Sequence, residues 1–363
     1  MKHQNEYRDR AVVEALARRV HELVRRPVRI MELCGTHTMA IARHGLTSLL
    51  PQQLSLISGP GCPVCVTATE EIDRAMKLAR SPGVIVATFG DMLRVPGSEG
   101  SLAQARAQGA HVEVVYSALE ALELARANPD AQVVMLAIGF ETTAPTLAAS
   151  VLTARAEGLA NYSLLVMHKL IPPAIRALLA SGEVALDGLL CPGHVSTVIG
   201  SRPYEFAARD YFMACVISGF EPVDIMASLV MLLEQIAEGR PRVEIQYARA
   251  VRPEGNPKAV EVMNQVFEPL DAPWRGLGVI PMSGLKLREE FAAFDAARRF
   301  DLSVPPPREN PACRCGEVLK GLCTPPECPL FATACTPARP VGPCMVSSEG
   351  SCAAWYRYRR QEA

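Results

Sequence analysis

The chain lacks an excess of either charge. Its 37 basic and 38 acidic residues leave a formal net charge of −1, which argues against a general nucleic-acid or polyanion binder. Long hydrophobic runs are missing too. The longest, such as VVMLAIGF (133–140), fall far short of the roughly 20 residues that span a bilayer. The opening residues MKHQNEYRDR have no apolar stretch of the secretory kind, so a cytoplasmic protein is expected, with no membrane partner. GxxxxGK[ST], HExxH, GxSxG and CxxxCxxC are all absent. P-loop, zinc-hydrolase, serine-hydrolase and radical-SAM chemistry therefore lack their usual marks. No short repeat and no low-complexity tract interrupts the pattern.

Cysteine, by contrast, is plentiful. In a reducing compartment, twelve cysteines read as metal ligands, redox thiols or buried core residues rather than structural disulfides. Cys191 and Cys215 lie in apolar runs and read as core thiols. Seven others crowd between Cys313 and Cys352, and Cys34, Cys62 and Cys65 sit in two loops near the front. A dense cysteine module and a separate glycine-loop thiol site suit a chain that holds a metal and moves electrons.

Short β-branched runs alternate with amphipathic segments: VRIMEL (28–33), LSLISG (54–59), GVIVATFG (83–90), VEVVYS (112–117), QVVMLAIGF (132–140), YSLLVMH (162–168), GLLCPG (188–193) and ACVISGF (214–220). This rhythm predicts an α/β fold with mainly parallel sheet. Eight strands suit two Rossmann-like domains that form a cleft, followed by a cysteine-rich C-terminal domain. The expected divisions are an N-terminal helix (1–26, with helical periodicity over 6–25), a first α/β domain (27–120), a second (121–242) and a C-terminal domain (243–363). VPPPRENP (304–311) reads as a stiff connector.

Ligands collect at the carboxyl ends of parallel strands. There the chain carries Cys34 and His37, then Cys62 and Cys65, then Asp91, then Glu141 and Thr142, then His194. One shared cleft would gather them, although Thr142, Thr143, Ser196 and Thr197 also suit ordinary turn chemistry. The thiols at Cys62 and Cys65 have the spacing to close a small disulfide or share a metal. Thr67 with Glu70 reads as a capping box for the following helix, which would place Cys65 just before a helix N-terminus that favours thiolate. His37 could tune the protonation of Cys34. The C-terminal spacing C-x-C-x7-C-x4-C-x6-C-x8-C-x7-C has no paired CxxC knuckles. With its interspersed prolines it suits an iron–sulfur cluster wrapped by loops, with a structural zinc clip as the alternative.

Six motifs in order, MELCGTHTMAIARHG (31–45), SGPGCPVCVT (58–67), GFETTAPT (139–146), PGHVSTVIG (192–200), CRCGEVLKGLC (313–323) and GPCMVSSEGSCAAWYRY (342–358), make the chain resemble the HypD family of [NiFe]-hydrogenase maturation factors. The resemblance implies a scaffold on which the Fe(CN)2CO unit of the hydrogenase is assembled. Cys34 would ligate the iron, and a HypC-like small chaperone would add a second thiolate. A HypE-like partner would bring cyanide as a thiocyanate, and the hydrogenase large subunit would be served indirectly. Cys62 and Cys65 would be the dithiol facing the iron. Cys313, Cys328, Cys335 and Cys352 would hold a [4Fe–4S] cluster, and Cys315 and Cys344 would form a neighbouring redox pair, with Cys323 outside the pattern. His37, Asp91, Glu141, Thr142 and His194 would line the cleft as proton donors or polar anchors. Two other readings compete: a freestanding iron–sulfur thiol-disulfide reductase using Cys62 and Cys65, and an α/β enzyme with a zinc tail.

Overall fold

The structure, a computed structural model, describes residues 6–359. All eight expected runs form strands: β1 (Val28–Glu32), β2 (Leu54–Ser58), β3 (Val84–Thr88), β4 (Val112–Val114), β5 (Gln132–Ala137), β6 (Tyr162–Val166), β7 (Gly188–Pro192) and β8 (Ala214–Ser218). β3, β7 and β8 are buried along their whole length and β1, β5 and β6 at all but one residue, which is why they are apolar without alternation. Three more follow: β9 (Val243–Ile245), β10 (Phe267–Trp274) and β11 (Gly278–Leu287).

Sheet one has the order β2-β1-β7-β8-β9 and sheet two the order β4-β3-β5-β6. Every pairing within them is parallel, so the fold is α/β as expected. The expected division at residue 120 does not hold. β3 and β4 share a sheet with β5 and β6, while β1, paired with β2 on one side, pairs on the other with β7, which lies beyond them. Sheet one is therefore discontinuous, and sheet two is inserted into it. The division at 242 fails too, because β9 pairs with β8. Strand–helix alternation looks the same whether the chain continues one sheet or crosses to another, so periodicity carried no sign of the insertion.

Helix α1 (Arg10–Leu23) is capped by the Asp9 carboxylate, which accepts from the amides of Ala11 and Val12. Its buried stripe Val13, Ala17 and Val20 packs with Ile225, Leu229 and Leu232 of the helix Pro222–Glu238. The first five residues of the expected N-terminal segment lie outside the described residues. The antiparallel hairpin β10–β11 joins the halves. Trp274 bridges Thr67, and Gly284 bridges Lys169 just past β6. The cysteine module has little regular structure, yet Leu319, Cys328, Phe331 and Met345 share one apolar core with Met31, Leu33, Cys65 and Val66. It is packed into the α/β body rather than tethered to it.

Candidate functional site

β1 runs through Leu33 to Cys34, whose extended backbone caps helix α2 (Gly35–Arg43). β2 runs through Gly59-Pro60-Gly61 to Cys62, which caps the short helix α3 (Pro63–Val66). Its sulfur accepts from the Cys65 amide at 3.2 Å, and Cys62 and Cys65 are joined by a disulfide. The two loops lie back to back, with the Gly35 amide donating to the Gly61 carbonyl at 2.9 Å. The expected Thr67–Glu70 box is replaced. Helix α4 (Thr69–Ala79) is opened by Glu71, whose carboxylate accepts from the Ala68 amide. Thr67 donates to the Pro63 carbonyl instead, and Glu70 pairs with Arg74.

A cavity of about 310 Å³ opens beside Cys34. Thr36, Pro63, Phe140, Thr142, His194 and Glu349 are among the residues that line it. The ends of β1, β2, β5 and β7 thus converge from both sheets. Burial pushes the Cys34 thiol up to about 12, and the nearby Glu349 carboxylate pushes the same way. Glu349 accepts from the Thr36 hydroxyl at 2.6 Å, and burial raises its own carboxyl. Sequence reasoning missed Glu349. It lies in GPCMVSSEGSCAAWYRY, where no local spacing ties a carboxylate to Cys34.

Of the expected site residues, Cys34, Thr142 and His194 face this cavity, and Gly61 and Pro63 bring the Cys62–Cys65 loop to its edge. Three others are placed behind it. His37 is fully buried, with Nε2 donating to the Gly219 carbonyl at 3.0 Å and Nδ1 unpartnered. Burial lowers it to about 4. Its ring stacks on Phe220 at 4.7 Å, and Phe220 stacks on His194 at 3.9 Å, so His37 buttresses His194 from behind. Glu141 accepts from the Ile171 amide at 3.0 Å, while its other oxygen is buried without a partner. Burial pushes its carboxyl up to about 7. Asp91 turns to the cysteine module and accepts from the Ser347 hydroxyl at 2.8 Å.

In the module, Cys313, Cys315, Cys328, Cys335, Cys344 and Cys352 surround one small chamber with Phe331 and Met345, and Cys323 stands outside it. Among the described residues, no three His, Cys, Asp or Glu side chains form a set for a single metal ion, and no helix is long and apolar enough to cross a membrane.

The family model described as HypD, "Hydrogenase formation hypA family", matches residues 10–359. The chain belongs to the HypD family. It is 50% identical over 370 aligned residues to a hydrogenase maturation factor HypD of Azotobacter vinelandii, covering 99% of this chain and 98% of the relative. The HypD of Escherichia coli K12 is 46% identical, with coverage of 97% and 95%. A putative hydrogenase expression/formation protein of Methanocaldococcus jannaschii is 42% identical, with coverage of 97% and 98%. In this HypD-family chain the two thiol regions are physically joined. The turn Pro343–Met345, which carries Cys344, packs on α3. Cys344 also shares a hydrogen bond with Cys315, which holds Cys315 down and Cys344 up, and the buried Arg275 guanidinium lowers Cys315 further. Arg275 in turn donates to the Thr67 carbonyl at 3.1 Å, just past the disulfide.

Proposed function

We propose that this HypD-family hydrogenase maturation factor is the scaffold on which the Fe(CN)2CO unit is assembled, with the iron as cargo held by Cys34. One observation carries the reading. Cys34, the Cys62–Cys65 loop and the six-thiol chamber stand in contact in that order, joined at Gly61 and at the Pro343–Met345 turn. The donor set of the chamber is all thiol, which fits a [4Fe–4S] cluster held by Cys313, Cys328, Cys335 and Cys352. When bound, that cluster supplies single electrons to the thiols beside it.

Transfer of cyanide from a thiocyanate is a two-electron reduction. A thiocyanate R–S–CN and the two thiols of reduced Cys62 and Cys65 give R–SH, iron-bound cyanide, one proton and the Cys62–Cys65 disulfide. Cys315 and Cys344, in hydrogen-bond contact, return the pair to its reduced form by exchange. Thr142 and His194 face the cavity and are the donors for cyanide nitrogens. Glu141 and His37 hold the loops that carry them, and Asp91 holds the turn at Ser347 that leads to Glu349. A HypC-like thiolate and a HypE-like thiocyanate reach Cys34 through the cavity, in the cytoplasm, and the hydrogenase large subunit receives the product. The rival reductase reading is disfavoured by burial, since Cys62 and Cys65 are 3% and 0% exposed and an outside disulfide does not meet them.

The test is anaerobic purification of wild type and Cys34→Ala, with iron, zinc and sulfide analysis and infrared spectra. Cyanide and carbonyl bands in wild type only, with sulfide unchanged, support the scaffold. The same bands in Cys34→Ala would overturn it. Zinc without sulfide would remove the electron module.

A further inference from the structure

A larger cavity, of about 490 Å³, opens on another side of the cysteine module. Its wall includes Cys313, Cys315 and Gly342, and the same three residues wall the small thiol chamber. Among the described residues, the cavity at Cys34 shares none with that chamber. The outer cavity is therefore the chamber's window to solvent. The two thiols of the redox pair differ in the same respect. Cys315 lines the window, whereas Cys344 does not and sits in the turn packed on α3. Reducing equivalents admitted at the window meet Cys315 first, and Cys344 is placed to hand them on.

The size falls in the range of small-molecule sites. Arg275, Arg308, Arg314 and Lys320 line the cavity against Glu309 and Glu317. These cations already have carboxylate partners: Arg308 with Glu99 at 3.0 Å, Lys320 with Glu183 at 3.0 Å, Arg275 with Glu309 at 3.7 Å and Arg314 with Glu317. The Arg308–Glu99 pair is open to solvent, with side chains 73% and 64% exposed. Such exposed pairs are weak, so a ligand carboxylate replaces Glu99 at little cost.

We propose that this cavity binds a small carboxylate-bearing thiol that re-reduces the Cys315–Cys344 pair. The inference rests on the relay described above, in which passing two electrons to Cys62–Cys65 leaves Cys315 and Cys344 joined by a disulfide. The thiolate of the small molecule attacks Cys315 Sγ. The Cys315–Cys344 bond breaks, and Cys344 leaves with the electron pair and takes up the proton that the small thiol lost. A second small thiol attacks the mixed disulfide at the small molecule's sulfur and frees Cys315 as a thiol. Two thiols are consumed and one small-molecule disulfide is released, a two-electron supply beside the one-electron cluster.

The test uses the full chain with its cluster, kept anaerobic and treated with diamide. The Cys315–Cys344 disulfide is mapped by peptide mass, and its reduction is followed with glutathione or cysteamine at equal thiolate concentration. Glutathione is expected to act about fivefold faster than cysteamine, a preference of the size exposed ion pairs give. The trapped adduct should lie on Cys315, and Arg308→Glu should bring the two rates close together. Equal rates in wild type, or an adduct on Cys344 or Cys62, would overturn the site while leaving the relay intact. A pair that never oxidises would overturn the relay and the site together.

Discussion

Gly61 has no room for a side chain. A methyl carbon there would stand 2.4 Å from the Cys34 amide nitrogen and 2.4 Å from the Leu33 carbonyl carbon. Both are main-chain atoms, so the strain cannot be relieved by turning a rotamer. Gly61→Ala is expected to cost about 1–3 kcal/mol, read as a lower urea midpoint, and to make Cys34 react faster with iodoacetamide. Glu141 carries a pH signature. With its carboxyl raised to about 7 by burial, the folded chain holds a proton that the unfolded chain releases. The stability this gives is complete below the ordinary carboxyl range and is lost as pH rises through 7. Glu141→Gln should shrink the loss between pH 4.5 and pH 8 by roughly 3 kcal/mol, measured as denaturant midpoints across that span. His37 and His168, lowered to about 4 and about 3 by burial, act in the opposite sense and weaken the fold as pH falls below the ordinary histidine value. At this scale the sequence showed the cysteines plainly, because turns rarely need a thiol. It did not show Glu349, which meets Cys34 only through folding, or that His37 points inward onto Phe220.

The end of β6 is the element that ties the site together. His168 Nε2 and the Thr143 hydroxyl lie 3.2 Å apart beside the cavity loop. The next residue, Lys169, is 1% exposed and donates to Glu71 at 2.6 Å. Glu71 in turn caps α4 immediately after the disulfide. Removing one member leaves the other charge buried alone, so Lys169→Met should cost about 3–5 kcal/mol. The double variant Lys169→Met with Glu71→Gln should recover much of that, in a double-mutant cycle by chemical denaturation. Eight of the nine strands in the two parallel sheets were legible because their burial demands apolar, largely β-branched runs; β9, three half-buried residues, was not. The hairpin was not. Pro269 and Pro273 interrupt β10, and β11 carries exposed and buried residues without regular alternation around Pro281 and Gly284. Its strand character comes from pairing across the turn and from bridges to Thr67 and Lys169.

Across the whole molecule the cysteine module behaves as part of the core. The connector carrying Arg308 is exposed, but the module beyond it is held by contacts on several sides. Arg94 donates to the Pro337 carbonyl at 3.1 Å, Ser347 to Asp91, and Thr36 to Glu349. Trypsin cleavage at Arg308 should therefore leave two fragments that comigrate in gel filtration and separate only in denaturant. Independent elution would show a tethered domain instead. Composition and spacing revealed the module but not its embedding, since packing between residues 31 and 352 leaves no local trace.

The inserted sheet also orders how the protein comes into being. β1 and β2 leave the ribosome by residue 58, and their neighbour β7 begins only at residue 188. Sheet two, residues 84–166, can close on itself in the interval, as domains made early in synthesis do. The wall beside Cys34 waits for His194 and then, much later in the chain, for Glu349. A nascent or truncated chain that stops short of residue 349 thus displays the Cys34 thiol without the wall that His194 and Glu349 provide.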